Sequence, residues 1–415
     1  MKTIFPHNFY CCISTILHSM VFVLLLLVSV KANGDTMDDK YRRNSVYSML
    51  ISHIEQEDFC TLIQGQFMNI PVSDKFNDHN LAVRVISVEG KKEVTEQTVT
   101  DFVNRNNIAS HMVAKWFNRD QNTGQCDMTL IKNRGLYNAS EFDREIAAHS
   151  MRGNALLEDA GEDLIGNTYL IVNDIRYIDK NKVAKKIGSI FTIVTMVAAA
   201  AAGAKLGDDY AKNMMSLFDA LKGFSVRINS YLYQLEWNDN LANTFYSQCY
   251  SDVPSESKKD AFLKYSKDYK LKFLGSVTSK GSTTSYAGIK KRQPWQMVRK
   301  AMERAIDENV VDLQKMIPAF RAKIPISAIG TFVKAPIGKK EGVEAEKKYE
   351  VLEARLNNGK MTYKRVGVVK PNPMMIWDNR FMASEENSPG SSLGATSFII
   401  VSGSNFMPGM LLREM

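Results

Sequence analysis

The sequence predicts an α+β protein of two domains behind an export signal. An α/β domain is expected at residues 33–323 and a small β-barrel-like domain at residues 324–415. Two observations indicate the first domain: a capped helix that leads directly into a strongly apolar strand, and a helical hairpin inserted at residues 183–222 before the next strand. The second domain is indicated by an Asn-Gly turn flanked by strand-like segments.

The first part of the α/β domain combines helical and strand periodicity. The segment "NSVYSMLISHIEQEDFCTLIQGQF" is mildly amphipathic and predicts a short helix that ends near Gly65. Leu81, Val83 and Val85 alternate with their neighbours and predict a strand. The next segment, "TEQTVTDFVNRNNIASHMVAKWFN", has helical spacing, and a turn is expected at Asn122–Gly124.

The clearest helix start is the segment "NASEFDRE". Ser140 can cap the helix, Asp143 stands three residues later, and acidic residues fill the first turn. A strand-like run, Thr168–Ile178, follows this helix, and a second strand is expected at Phe224–Trp237. A helix followed by a buried strand is typical of an α/β domain.

The segment between these two strands contains the most apolar stretch after the N-terminus. Its apolar window, residues 187–204, reaches 18 residues only if Gly, Ser and Thr are counted as apolar, and Lys205 ends the window. A helix that spans a membrane needs about 20 apolar residues. We therefore expect a helical hairpin that packs on the protein, with an amphipathic second helix up to residue 222. A hairpin that inserts into the membrane is the alternative.

The remaining elements complete both domains. Ser255 is expected to cap a charged helix, the strand "LKFLGSV" follows, and the longest helix begins near Pro294 and ends or kinks at Pro318. Further on, "KKYEVLEARLNNGKMTYKRVGVVKP" predicts a hairpin that turns at Asn358–Gly359. The segment "FMASEENSPGSSLG" predicts a flexible surface loop, and "GATSFIIVSGSNFMPGMLLREM" predicts two closing strands.

Residues 1–32 have the pattern of a cleavable signal peptide. Lys2 gives a positive start, an apolar core follows, and Val30 and Ala32 occupy the −3 and −1 positions of a cleavage site. The sequence therefore predicts an exported protein, periplasmic or associated with the outer membrane. An uncleaved membrane anchor is the alternative.

Charge and cysteine content argue against several functional classes. The net charge is +8, from 53 Lys and Arg against 45 Asp and Glu, but the basic residues are interleaved with acids and form no stripe for nucleic acid. Of the five cysteines, Cys11 and Cys12 lie in the predicted signal peptide, and the remaining three are Cys60, Cys126 and Cys249. These three are widely spaced and odd in number, which predicts free thiols, with one long-range disulfide as the alternative. No spacing of His or Cys predicts a metal site, and no cofactor is expected.

Asp78 and His79 in "FNDHN" are the best candidates for catalytic chemistry, and a histidine that stabilises a turn is the favoured alternative. Ser255–Lys258 matches a Ser-x-x-Lys pattern but lies at a helix start, which predicts a cap. Asp159–Asp163 holds candidate acid/base or cation-binding carboxylates, for which a solvated turn is the alternative. The acids before Cys60 disfavour a reactive thiolate.

Aromatic residues line the strand "NSYLYQLEW". Tyr231, Tyr233 and Trp237 could form a stacking platform for a sugar or peptide, although core packing is the commoner role of aromatics in strands. The motifs GxSxG, GxxxxGK[ST] and GxGxxG are absent from the sequence.

Two stretches of the sequence resemble domains of envelope proteins, and the chain as a whole resembles a group of exported proteins. Residues 337–371, with Gly338, Gly342, Gly359 and Gly367 around two strands, resemble the C-terminal domain of flagellar outer-membrane assembly proteins. The block "ALLEDAGEDLIGNTYLIVNDI" is similar to the helix-then-strand element of the curli-secretion and TolB amino-terminal type of domain. With "WFNRD", "GFSVRINSYLYQL" and "PGMLLRE", the chain as a whole looks like uncharacterised exported proteins of Gram-negative anaerobes, a likeness that implies no activity and no site residues.

Together these observations predict an exported cell-envelope protein that works by binding or assembly, without catalytic activity. The expected partner is an envelope protein or a second copy of the chain, met through an exposed strand edge of the α/β domain or through the hairpin, with contact to a membrane surface and none to nucleic acid. A periplasmic hydrolase or ligand-binding enzyme that uses Asp78 and His79 is one alternative. A membrane-inserting protein that uses residues 187–222 is the other.

Overall fold

The structure is a computed structural model that describes residues 44–53, 57–88, 94–137, 163–178, 224–283, 294–357 and 360–415. The predicted signal peptide at residues 1–32, the helix expected from Ser140 and the inserted hairpin at 183–222 lie outside the described residues.

Helices and strands alternate in the first two-thirds of the chain, and strands dominate the last third. The α-helices are α1 (Glu57–Met68), α2 (Glu96–Arg105), α3 (Ile108–Trp116), α4 (Thr129–Tyr137), α5 (Asp163–Gly166), α6 (Asp239–Thr244), α7 (Glu256–Tyr265) and α8 (Pro294–Met316). The strands are β1 (Ser45–His53), β2 (Asn77–Asp78), β3 (Val85–Val88), β4 (Thr168–Tyr177), β5 (Ser225–Leu235), β6 (Leu271–Ser282), β7 (Ile324–Pro325), β8 (Ala328–Ile329), β9 (Val333–Ala335), β10 (Tyr349–Asn357), β11 (Lys360–Pro371), β12 (Thr396–Gly403) and β13 (Leu411–Glu414). The protein is therefore α+β, as predicted.

The first sheet is mixed and has six strands. Strand β1 pairs in parallel with β4 on one side and with β2 and then β3 on the other side, while β4, β5 and β6 pair antiparallel. Strand β6 therefore forms one edge of the sheet, and the interrupted pair β2 and β3 forms the opposite edge.

The short helix predicted to end near Gly65 is present as α1, but the strand β1 that precedes it was not predicted. The side chains of β1 are buried on both faces: Val46 packs with Phe76 and Tyr169, whereas Met49 packs with the helices of the other face. A strand buried on both faces has a nearly continuous apolar sequence, so its period of two is hidden. The helix begins only at Glu57 and continues three residues past Gly65.

Two other predicted elements are interrupted. The strand expected at Leu81–Val85 starts only at Val85, because the chain before it takes a left-handed turn at Ala82 (φ 71°). The helix expected over residues 95–118 divides into α2 and α3, since Asn107 also has a positive φ of 48°. By contrast, β4, β5, the Ser255 cap and the long helix α8 agree with their predictions.

Helices cover both faces of the first sheet. One core lies between the sheet and the helices α1 and α8, and the opposite core lies between the sheet and the helices α2 and α3. Fully buried aromatics fill these cores, among them Phe59 in the first and Trp116 in the second. No helix in the described part of the chain is both long and apolar enough to cross a membrane.

The second sheet is antiparallel, has seven strands and curls as a half-barrel. Its order is β7-β13-β10-β11-β12-β9-β8, and Val351, Val369, Phe398 and Leu412 lie in its core. Strands β10 and β11 pair down to Asn357 and Lys360, which confirms the predicted hairpin. Strands β12 and β13 are the two predicted closing strands.

Helix α8 connects the two sheets. It packs on the first sheet, and its polar side forms ion pairs with the second domain, including Arg304 to Glu386 at 2.8 Å and Glu303 to Lys340 at 3.8 Å. Arg304 also donates to the carbonyl of Phe381 at 2.8 Å. The loop "FMASEENSPGSSLG" is irregular, as predicted, but these contacts hold it against the helix.

Candidate functional site

The outer edge of β6 is the strand edge that the sequence analysis expected on the α/β domain. Strand β6 is 12 residues long and pairs with β5 from Leu271 to Ser282. In an antiparallel pair, every second residue directs its backbone N–H and C=O away from the neighbouring strand. None of the described residues forms a backbone or side-chain hydrogen bond with these outward groups. They form a template for a further strand.

Helix α8 fixes β6 in position from one face. Gly281 lies so close to the helix that a Cβ atom there would be 2.0 Å from the carbonyl oxygen of Ala301. The hydroxyl of Ser279 donates to the carbonyl of Ala305 at 2.8 Å. A third contact comes from Met316, whose Cε would be 2.4 Å from a Cβ on Gly275. These contacts position the strand against α8, while no described residue covers its outer backbone edge with a hydrogen bond.

Charges and a bulge restrict where a second strand could pair with β6. Leu232 pairs with Gly275 and Tyr233 with Phe273, so Leu274 is the extra residue of a β-bulge. Lys272 and Lys280 are exposed on either side of an uncharged window at Gly275–Ser279. Lysines and bulges are the devices with which natural edge strands avoid uncontrolled pairing. The window between them is the part of the edge that can accept another strand.

His79 does not have the geometry of a catalytic base. It is fully buried, its Nδ1 accepts from Nη1 of Arg134 at 3.0 Å, and its Nε2 donates to the carbonyl of Met112 at 3.0 Å. Burial and then the charge of Arg134 lower the pKa of His79 to about 3. The imidazole therefore stays neutral and both of its nitrogens are occupied. Asp78 lies beside it, and burial raises the pKa of its carboxyl.

The other residues singled out in the sequence have structural roles. Tyr231 and Tyr233 are buried, and the Tyr231 hydroxyl donates to the carbonyl of Val94 at 3.0 Å, so core packing is confirmed for both. Trp237 packs in the same cluster of rings. The Ser255 hydroxyl accepts from the N–H of Lys258 at 3.4 Å, as a cap.

The three cysteines among the described residues are free thiols. Cys126 and Cys249 are buried, and burial raises the pKa of both thiols, whereas Cys60 is partly exposed beside Ser52. Of the acidic segment Asp159–Asp163, all but the last residue lie outside the described residues. Among the residues that the structure describes, no group of three His, Cys, Asp or Glu side chains could hold a metal ion.

The sequence analysis missed a buried charged cluster at the end of β1 and β4. Nε2 of His53 lies 2.5 Å from Oδ1 of Asp174, and Nε of Arg176 donates to Oδ2 of the same carboxylate at 3.2 Å. Asp174 is completely buried, so both partners are needed to compensate its charge. These residues are brought together by the parallel pairing of β1 with β4, and their spacing in the sequence does not predict this contact.

A second missed cluster lies at the junction between the two domains. Lys75 lines two neighbouring cavities of about 450 and 220 Å³, and burial lowers the pKa of its amine. Asp307 on α8 interacts with it electrostatically, and burial raises the pKa of this carboxyl to about 7. Oδ2 of Asp307 is buried and has no hydrogen-bond partner among the described residues. Acids and bases are mixed around Lys75, so the cluster indicates no class of ligand.

Comparison with known proteins does not assign this chain to a family. No protein-family model matches the chain, and no curated protein has a significantly similar sequence.

Proposed function

We propose that this protein is an exported cell-envelope protein that binds an extended segment of a protein partner along the outer edge of β6. In this proposal the signal peptide at residues 1–32 is removed on export, the predicted hairpin at 183–222 is inserted between β4 and β5, and the protein has no catalytic activity. The partner is an envelope protein or a second copy of the chain.

The observation that carries the proposal is the combination of a long open edge with a restricted window. Strand β6 is twelve residues long, its outward backbone groups have no partner among the described residues, and charges and a bulge confine pairing to Gly275–Ser279. Strand addition of this kind obtains affinity from main-chain hydrogen bonds and specificity from alternate side chains. Lys272 and Lys280 favour a partner segment with acidic residues at its two ends.

The buried geometry of His79 supports binding over hydrolysis. A general base must reach the proton that it abstracts, and its pKa must lie near the working pH. His79 meets neither condition, because it is fully buried and its pKa is about 3.

Site-specific photocrosslinking in intact cells tests the proposal. A photoreactive phenylalanine analogue replaces Ser276, which is exposed on β6, and in a matched control it replaces Leu263, which is 62 % exposed on α7. We expect a discrete adduct from position 276 alone, and its mass distinguishes an envelope protein from a second copy of the chain. The absence of an adduct at 276, or equal adducts at both positions, would contradict the proposal.

Two proline variants show whether the backbone edge itself is used. Because the N–H groups of neighbouring residues point to opposite sides of a strand, only one of Val277→Pro and Thr278→Pro removes a hydrogen bond to β5. We expect the other variant to keep its thermal stability and to lose the adduct formed from position 276. If the stable proline variant keeps the adduct, the partner contacts side chains and does not add a strand.

A further inference from the structure

A large cleft lies at the opposite edge of the first sheet, where β2 and β3 are separated by an irregular link. Its volume is about 870 Å³, within the range of about 300–1,000 Å³ that is usual for small-molecule sites. Strands β1 and β3, the link at residues 80–83 and the helices α2 and α3 enclose it.

The floor of the cleft is apolar. Met49 of β1 and Val85 and Ile86 of β3 contribute the sheet side, while Phe102 of α2 and Ile108 of α3 contribute the helix side. These side chains continue the core between the sheet and the helices to the protein surface. A hydrocarbon chain placed on this floor would therefore be removed from water.

Among the described residues, the rim of the cleft is basic and contains no acid. His111 and Lys115 stand one helical turn apart on α3 and are exposed, and Arg119 follows four residues later. Every other polar side chain that lines the cleft is neutral. Asp78 lies near enough to Lys115 for their charges to interact, but it does not line the cleft. In a chain whose charges are otherwise interleaved, this rim is selective for an anion.

Arg119 also has an unused donor. Its guanidinium lies over the ring of Phe262 at 4.2 Å, and Nη2 donates to the carbonyl of Lys259 at 3.4 Å. Its Nε is buried and has no acceptor among the described residues. An unsatisfied buried donor is costly in a native fold and calls for a partner.

The backbone at the mouth of the cleft is strained. Ala82 has φ 71°, a left-handed conformation that is costly for a residue with a Cβ atom. The side chain of Asn80 accepts from the N–H of Ala82 at 2.8 Å, and the Tyr47 hydroxyl donates to the carbonyl of Val83. The side chain of Val83 is thereby held at the mouth, 62 % exposed to solvent. Strain of this kind is concentrated at ligand sites.

We infer that this cleft binds a long-chain fatty acid, with the hydrocarbon chain on the apolar floor and the carboxylate against His111, Lys115 and Arg119. An apolar floor beneath a rim that carries Lys115 and Arg119 and, in the described part of the chain, no carboxylate complements a single-chain anionic amphiphile. A sugar would leave the floor without apolar contacts, and a cationic ligand would meet like charges at the rim. The inference concerns a different edge of the sheet from β6 and does not depend on the proposed function.

Calorimetric titration of the full mature chain with laurate, myristate and palmitate, below their micelle concentrations, tests the inference. We expect one saturable site, with affinity rising about fourfold per added methylene from laurate to myristate. Hexadecanol, which has no charge, should bind at least tenfold more weakly than palmitate. Absence of a saturable site, or equal affinity for the alcohol and the acid, would overturn the inference.

Two variants locate the site. Lys115→Ala should weaken palmitate binding about tenfold, and Val83→Asp, which places a carboxylate at the mouth, should weaken it at least as much. Both residues are exposed, so neither change should unfold the protein. The matched control is Lys267→Ala, an exposed lysine that does not line the cleft, and it should leave binding unchanged. If all three variants bind palmitate equally well, the fatty acid binds elsewhere and the inference fails.

Discussion

Asp307 should make the stability of this protein fall as the pH rises, which is the reverse of the usual effect of a carboxyl group. The carboxyl lies on α8 at the junction of the two domains, and its Oδ2 has no hydrogen-bond partner among the described residues. Burial is the largest cause of its raised pKa, and the nearby carboxylates Glu303 and Glu341 add to it. Asp307→Asn removes the ionisation with little change of shape.

The size of this effect on the free energy of unfolding follows from the pKa of Asp307 in the folded protein and in the unfolded chain. The pKa is about 7 in the folded protein against 3.8 in an unfolded chain, and each unit corresponds to about 1.4 kcal/mol, so the full effect is about 4 kcal/mol. Below pH 3.8 both states hold the proton. Between pH 3.8 and 7 the unfolded chain loses its proton while the folded protein keeps it, and stability therefore falls. Above pH 7 the loss is complete.

The measurement is urea unfolding of the wild-type protein and of Asp307→Asn at several pH values from 4.5 to 8. His79 changes stability in the opposite direction, because its lowered pKa makes stability rise between about pH 3 and 6.5. This contribution is common to both proteins and cancels in their difference. We expect the free energy of unfolding of the wild type, minus that of the variant, to fall by up to about 4 kcal/mol across the series.

The control is Glu308→Gln, which changes an exposed carboxyl on the same helix and is measured at the same pH values. A flat difference for Asp307→Asn would refute the argument, since it would mean that the carboxyl of Asp307 is as well solvated in the folded protein as in the unfolded chain.

Three further substitutions test the packing around the first sheet. Gly281→Ala should destabilise the protein by at least about 2 kcal/mol, because the new Cβ would meet the backbone oxygen of Ala301 at 2.0 Å, whereas Gly65→Ala, with no atom within 4 Å, should stabilise it slightly in thermal unfolding. His79→Ala should cost about 2–4 kcal/mol, because Nη1 of Arg134 loses an acceptor inside the core, and circular dichroism on heating measures it. A lost phenotype with unchanged stability in this variant would instead favour the hydrolase alternative.

The second domain could be predicted because its signals are local. The sequence Asn-Gly between two strand-like segments predicts a hairpin, and β10 and β11 pair antiparallel down to Asn357 and Lys360. Helix α8 was predictable for the same reason, since Val298, Met302 and Leu313 repeat at helical spacing and are all buried.

The strand at the start of the first sheet could not be predicted in the same way. It forms because it is buried between elements that are distant from it in the sequence. Strand β1 lies between β4 and the strands β2 and β3, with helices on both faces, so its sequence loses the alternation that identifies a strand. The breaks at Ala82 and Asn107 depend on single backbone angles that propensity does not encode. The apolar floor of the cleft depends on the break at Ala82. Its basic rim depends on α3, the helix that follows the break at Asn107.

The sequence predicts that the α/β domain has an exposed strand edge, but it does not predict which strand forms that edge. The sequence indicates a strand at "LKFLGSV", but whether a strand lies at the edge or in the centre of a sheet depends on the pairing of every other strand. The structure extends β6 to Ser282 and places it at the edge. The hypothesis for His79 failed for a different reason. Its neighbours in the sequence are polar, which suggests an exposed side chain, but the histidine is buried and hydrogen-bonded to Arg134 and Met112.

The two proposed surfaces should act independently, and the geometry of the sheet explains why. Strands β1, β4 and β5 separate β3 from β6, and strands lie about 4.8 Å apart, so the two edges are about 19 Å from each other. Charges at that distance are screened at physiological salt, where the Debye length is about 8 Å. The intervening strands are largely buried, and β4 and β5 each pair with a strand on both sides, so they do not deform easily. Lys115→Ala should therefore leave the adduct from position 276 unchanged, and a loss of both activities in one variant would point to a change in the sheet itself.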